Sequence, residues 1–314
     1  MFKKAAKLFD PVIRDKNIRA TKLALRGLWW DVSRPTQFDP VFLIGCSRSG
    51  TTITYETLCA SGSYLHFGFE IPQFWNSLCG PLTNNWTSEA AGTQDVKVGH
   101  RRAALRYFYQ HLGKGCLLDK TCINTMRIPF LYSLFPRARF IYIYRDGRNT
   151  ISSMMDGWRQ GRTDGGFGLN QFFGPSPEPV AINDGEFSEW HFFLPPGWRD
   201  YNSASLADVC AYQWLVSNKL ALEGREIIPS NQWIQIRYED ILDQPVELFK
   251  HVFGQLGIEF TPHVKELCAD LHRRPTSIVS GPPQRDKWRK RHPEEISRIL
   301  PRIKPMMDQL GYGL

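Results

Sequence analysis

The chain has 314 residues, 42% hydrophobic and 22% charged, an ordinary globular composition with enough length for a large core. Its 39 basic and 31 acidic residues leave a net charge of +8, which suits an anionic partner without choosing among ligand, nucleic acid and membrane surface. Seven cysteines with no C-x-x-C pair argue against a disulfide framework or zinc site and for a reducing, cytoplasmic setting; no apolar run approaches the ~20 residues of a membrane span.

The start, Met1-Phe-Lys-Lys-Ala-Ala-Lys, is basic but leads into no apolar h-region, so no secretory signal is expected. Residues 1–30 read as an amphipathic helix with Leu23, Leu25, Leu28 and Trp29 as its apolar side. The expectation is a helical extension over 1–40, packed on the outside of the domain rather than serving as a membrane anchor. A single domain then covers 41–314.

Four short apolar or β-branched runs follow, at 41–44, 116–118, 139–144 and 233–236, with helical patterns between them. Strands alternating with helices predict an α/β fold, a parallel sheet in three layers with helices on both faces. In such sheets ligands sit beyond the carboxyl ends of the strands, and each run here ends on polar residues.

Directly after the first run comes Gly45-Cys-Ser-Arg48-Ser49-Gly50-Thr51-Thr52, then a helical pattern closing at Ser61-Gly62. A strand, a glycine turn and a helix start make an anion site, because backbone N–H groups and the helix dipole point at the ligand. Arg48 adds a planar cation; Ser49, Thr51 and Thr52 add hydroxyls around Gly50. The glycine spacing equals that of a nucleotide triphosphatase loop, G-x-x-x-x-G-K-[ST]. Thr51 stands where that lysine belongs, which argues against ATP or GTP hydrolysis.

The third run leads into Arg145-Asp146-Gly147-Arg148, with Ser153 about two helical turns on. Arg145 and Ser153 can hold a second phosphate with Arg148 nearby; the alternative is an Arg-Asp salt bridge at the turn. Together the two sites ask for a nucleotide with phosphates at two separated positions.

At this point the chain resembles the PAPS-dependent sulfotransferases, enzymes using 3′-phosphoadenosine-5′-phosphosulfate. Gly45–Thr52 resembles their 5′-phosphosulfate loop, and Arg145 to Ser153 their 3′-phosphate motif. Asp119-Lys120-Thr121, residues 135–140, Arg237-Tyr238-Glu239-Asp240 and Arg285-Asp-Lys287-Trp-Arg289-Lys follow in the family's order. The resemblance covers roughly 40–312 and is nearest the bacterial-type and tyrosylprotein branch. It implies a P-loop NTPase-like sulfotransferase fold that binds PAPS, releases PAP (3′,5′-ADP) and requires no metal.

The resemblance places a transition-state lysine at Lys120, with Arg48 sharing that work; the competing reading pairs Lys120 with Asp119. It places a catalytic glutamate at Glu70, against a purely structural carboxylate, and His66 is the second candidate for the base. Tyr238 and the basic strip Arg285, Lys287 and Arg289, after Ser280-Gly-Pro-Pro, are expected at the nucleotide. His100 and His111 read as packing or surface residues.

Residues 160–205, with Gly165-Gly166-Phe167-Gly168 and Phe192-Phe193-Leu194-Pro-Pro, read as a long ordered lid or acceptor loop. With residues 64–90 it supplies aromatics, and Asp156, Asp164, Asp184 and Glu186 lie among or near them. That mixture suits a small-molecule or carbohydrate or glycolipid acceptor bearing a hydroxyl or amine. Three rivals remain: a P-loop kinase, a nucleic-acid binder and a fold that has lost catalysis. The basic residues sit in separate strand-end motifs rather than one continuous face, so no nucleic-acid partner is expected. A monomer or homodimer is equally compatible.

Overall fold

The computed structural model describes residues 11–35, 39–160, 167–273, 277 and 285–313. Residues 1–10 of the N-terminal helix, Asp164, Gly165 and Gly166, and the run 280–283 lie outside the described residues.

In chain order the main elements are α1 (Pro11–Ser33), β1 (Val41–Ile44), α2 (Thr51–Cys59), α3 (His100–Leu112), β2 (Leu118–Lys120), β3 (Arg139–Tyr144), α4 (Gly147–Gln160), α5 (Leu206–Arg225), β4 (Trp233–Arg237), α6 (Pro245–Leu256) and α7 (Pro293–Gln309). The four strands form one parallel sheet in the order β2-β1-β3-β4. Parallel sheets need cover on both faces, and the strand sequences show why this one has it. Phe42, Ile44, Phe140 and Tyr142 enter one core with α3, α4, α5 and α7; Val41, Leu43, Ile141 and Ile143 enter another with α2 and α6. The period-two alternation of a strand thus divides two apolar cores between two helical layers.

β1 and β3 occupy the expected residues, but β2 runs through 118–120 instead of 116–118. Leu117 forms a parallel bridge with Leu65, and the paired strand continues into buried Asp119 and Lys120. Polar residues here are strand, because each finds a partner in the interior.

α1 turns most of its apolar side outward. Leu25, Leu28 and Trp29 are exposed, Leu23 is half-buried, and the buried positions are Gly27 and Trp30. Polar groups fix this orientation: Asp31 pairs with Arg102 and Arg106, and Arg26 donates to the His111 carbonyl at 3.2 Å. A Cβ on Gly27 would meet the Arg106 guanidinium at 2.8 Å, so the glycine permits the close approach.

The described part of 160–205 is a packed wall. Phe187, Trp190, Phe193, Leu194 and Trp198 are buried in the same core as α4 and α5. Buried Glu89 accepts from the Leu194 N–H at 2.7 Å and from Asn76, while Arg127 donates to the Glu89 carbonyl, tying this wall to the sheet's underlying helices.

Candidate active site

A cavity of about 900 Å³ opens beyond the carboxyl ends of the strands. Ser47 and Arg48 come from the turn after β1, Lys120 ends β2 with Cys122 just beyond it, and Arg145 and Tyr238 directly follow β3 and β4. A parallel sheet points all these chain ends one way, which brings residues far apart in sequence to one wall.

The turn after β1 is built before any ligand arrives. Thr125 clamps Gly45, accepting from its N–H at 2.7 Å and donating to its carbonyl at 3.0 Å. Gly50 has φ +102°, and a Cβ there would meet the Tyr238 ring at 2.3 Å. Arg48 holds φ +70°, a left-handed conformation that non-glycine residues adopt only where surroundings enforce it. No side chain caps the start of α2, so its leading N–H groups remain available to an anion.

Ser49 is placed otherwise than expected. It is fully buried, its hydroxyl donates to the Cys46 carbonyl at 2.6 Å, and its N–H goes to the same oxygen. It shapes the turn, while Ser47 takes a place on the cavity wall beside Gly50, Thr51 and Thr52.

The two anion motifs are stitched together. Arg48 Nε donates to Ser153 Oγ at 3.1 Å, and Arg145 Nη1 donates to the Arg48 carbonyl at 3.2 Å. The Arg145 guanidinium lies 4.2 Å above the Tyr238 ring. The salt bridge weighed for this turn exists, but Arg148 makes it, with Asp146 at 2.5 Å, so Arg148 is held off the cavity while Arg145 faces it.

The basic strip divides by face. Lys287 lines the cavity, whereas Arg285 pairs with Asp243 and Arg289 stacks on Trp288, both outside it. Arg291 joins Lys287 on the wall, held by Asp156, whose other oxygen lies 3.0 Å from His292 Nε2. Positions 287 and 291 share a helical face; 285 and 289 do not share it with them. Burial and then Arg145 hold Arg48 below the usual guanidinium range; burial, then Arg291 and Arg145, lower Lys287. Arg145 and Arg291 thus disfavour the charged forms of Arg48 and Lys287, and an anion bound among the four would offset that repulsion.

On the next wall Lys120 Nζ donates to Glu70 Oε1 at 2.9 Å and reaches Thr52 Oγ1 at 3.5 Å. Burial works against the ammonium, but the Glu70 carboxylate outweighs it and raises the Lys120 pKa. Glu70 Oε2 accepts from the Cys122 N–H at 3.0 Å. The alternative partner is excluded: Asp119 turns to the opposite face of β2, where Trp75 Nε1, Thr121 and Asn124 donate to it. Burial pushes the Asp119 carboxyl up to about 6. His66 sits exposed at the cavity rim with its ring edge-on to Tyr55. His100 and His111 lie in α3, away from the cavity.

Of the aromatics expected around an acceptor, Phe69, Phe167, Phe172 and Phe192 line the cavity. Phe167 and Phe192 stack at 4.7 Å, and Phe192 is held at φ +67°. Trp75, Trp190, Phe193 and Trp198 are core. Asp156 is on the wall, whereas Asp184 and Glu186 are not.

Residues 40–172 match the profile of the Sulfotransferase family. The chain is 22% identical over 304 residues to protein-tyrosine sulfotransferase A of Caenorhabditis elegans, covering 87% of this chain and 67% of that one. Its fold is similar to that of the Mycobacterium avium sulfotransferase STF9, with a TM-score of 0.53 at 12% identity over 96% of this chain and 86% of the other. A sulfotransferase of Alicyclobacillus acidocaldarius gives 0.49 at 13% identity, covering 88% and 97%. The matched span contains the glycine turn, Lys120, Arg145 and Ser153. Profile and relative both liken this chain to sulfotransferases, and its fold is similar to that of one of them.

Proposed function

We propose that this protein transfers a sulfuryl group from PAPS to a hydroxyl or amine of a small-molecule, carbohydrate or glycolipid acceptor and releases PAP. The observation that carries the reading is the Lys120–Glu70 pair at 2.9 Å, set on the wall of the same cavity as four clustered cations. PAPS, when bound, supplies an activated sulfuryl group on a phosphate leaving group.

The chain's own residues divide the remaining work. Arg48, Thr51, Thr52 and the start of α2 hold the anion at the donor's 5′ end. Arg145 and Ser153 hold the 3′-phosphate, Tyr238 supports Arg145 from below, and Lys287 and Arg291 neutralise the far side. Glu70 accepts the acceptor's proton, and His66 at the rim is the alternative base. Proton arrival at Glu70 weakens its hold on Lys120, freeing the ammonium to face the developing charge. The four phenylalanines favour an acceptor with an apolar or ring-bearing body beside its hydroxyl. All seven cysteines are free, which supports a reducing, cytoplasmic setting.

Calorimetric titration with PAP, and separately with ATP and Mg²⁺, tests the donor assignment. Micromolar PAP binding without metal, and no ATP binding, is the expected result. Absence of PAP binding overturns it.

A further inference from the structure

We propose that α1 is a membrane-surface helix, lying with its apolar stripe in the headgroup boundary of an anionic bilayer. The stripe consists of Ile18, Leu25, Leu28, Trp29 and Val32, each between 57% and 84% exposed. At 100° per residue these five positions span about 100° of the helix surface, the width of an amphipathic face. They lie opposite Gly27 and Trp30, which are buried against α3. The helix is therefore fastened to the domain by the opposite side, where Gly27 and Trp30 are buried and polar contacts flank them. The Asp31 pairs with Arg102 and Arg106, together with the Arg26 bond to the His111 carbonyl, hold the apolar side outward.

Charge identifies the occupant. Residues 1–34 contain nine basic and three acidic residues, a net +6 of the chain's +8. Exposed Lys22 borders the stripe beside Trp29, and exposed Arg19 lies farther round on the same side. An apolar stripe with a tryptophan, edged by cations, fits an interface where acyl chains meet anionic headgroups. A second copy of the chain fits worse. The stripe runs over 15 residues, about 21 Å from first to last or two heptads, short of the three to four that sustain a coiled coil. Each copy would also bring a net +6 against the other. Among the described residues no helix is long and apolar enough to cross a membrane, so the helix lies on the surface.

The test is flotation of the full chain with phosphatidylcholine vesicles, with and without roughly 30% phosphatidylserine, at about 0.05 M and about 0.5 M salt. Light scattering runs in parallel. The wild type is expected to float only with the anionic vesicles at low salt. The variant Leu25→Glu/Leu28→Glu/Trp29→Glu is expected to lose at least about tenfold in partitioning, with unchanged thermal midpoint and PAP affinity. Arg19→Gln and Lys22→Gln should each weaken anionic binding about fivefold. No flotation of the wild type, or a triple variant that floats like it, overturns the proposal. A dimer that the triple variant dissociates, without vesicle binding, overturns it in favour of self-association. None of these residues touches the cavity, so these results stand apart from those that test the donor.

Discussion

The Arg145 guanidinium donates to the backbone carbonyl of Arg48 at 3.2 Å, so the residue that faces the second anion position also braces the turn that forms the first. Under the proposed donor assignment, selectivity for a nucleotide with phosphates at both ends should depend on Arg145. Arg145→Ala is expected to weaken PAP by about 10- to 100-fold, the range of a lost charge-assisted hydrogen bond. Adenosine 5′-phosphosulfate, which lacks the 3′-phosphate, should lose several-fold at most through the loosened turn. Calorimetry on both ligands decides; equal losses remove Arg145 from the 3′ site.

In the proposed reaction Lys120 stabilises charge and Glu70 takes the proton, so their variants should separate turnover from binding. Lys120→Ala is expected to lower turnover by at least about 100-fold while PAP affinity changes little. Glu70→Gln is expected to lower it by about 10²- to 10⁴-fold at neutral pH. Wild-type-like turnover in Lys120→Ala ends its assignment. Retained activity in Glu70→Gln moves proton transfer to His66, which His66→Ala then tests.

Gly50 is constrained twice, by φ +102° and by the Tyr238 ring 2.3 Å from where a Cβ would stand. Gly50→Ala is expected to destabilise the protein by about 1–3 kcal/mol and weaken PAP. Tyr238→Ala in the same chain should recover the steric share of the loss but not the backbone share. Melting of the two single variants and the double variant measures this; strict additivity shows that the ring is no obstacle.

Asp156 supplies a pH dependence. Burial alone would raise its pKa, but bonds from His292 and Arg291 bring it below 3.8. A lowered carboxyl stabilises the fold above its unfolded pKa and is lost as pH falls through the folded value. Asp156→Asn is therefore expected to melt a few degrees below wild type at pH 7, with the gap closing below about pH 4. PAP affinity should fall as well, because Arg291 loses its anchor. A gap that persists into acid shows that packing, not charge, explains the loss.

Fold and site were legible in unequal parts. β1 and β3 could be bounded from sequence because their runs are buried on both faces and stop at a turn. β2 could not, because Asp119 and Lys120 look like a strand's end until Trp75, Asn124 and Glu70 are seen to satisfy them. Arg48, Lys120 and Arg145 were legible because cations at strand ends have one common destination in a parallel sheet. Arg291 was missed although a signal existed: it stands four residues after Lys287 and so shares its face. Ser49 sits among glycines and threonines in the turn, and only the structure shows its hydroxyl going inward to Cys46. Thr125, which clamps Gly45, lies 80 positions away with no local mark of its purpose. The facing of α1 could not be read from the sequence, because apolar residues usually turn inward, whereas here an aspartate and a glycine settle the contact.

The bridge between Leu65 and Leu117 joins the segment carrying His66 and Glu70 to the strand carrying Lys120, through bonds at 2.8 and 2.9 Å. Glu70 and Lys120 therefore ride on one plank. A change in the phenylalanine wall would leave the spacing between these two groups fixed by the sheet edge. Acceptor choice can then drift across evolutionary time by altering that wall alone, with no retuning of the chemistry behind it.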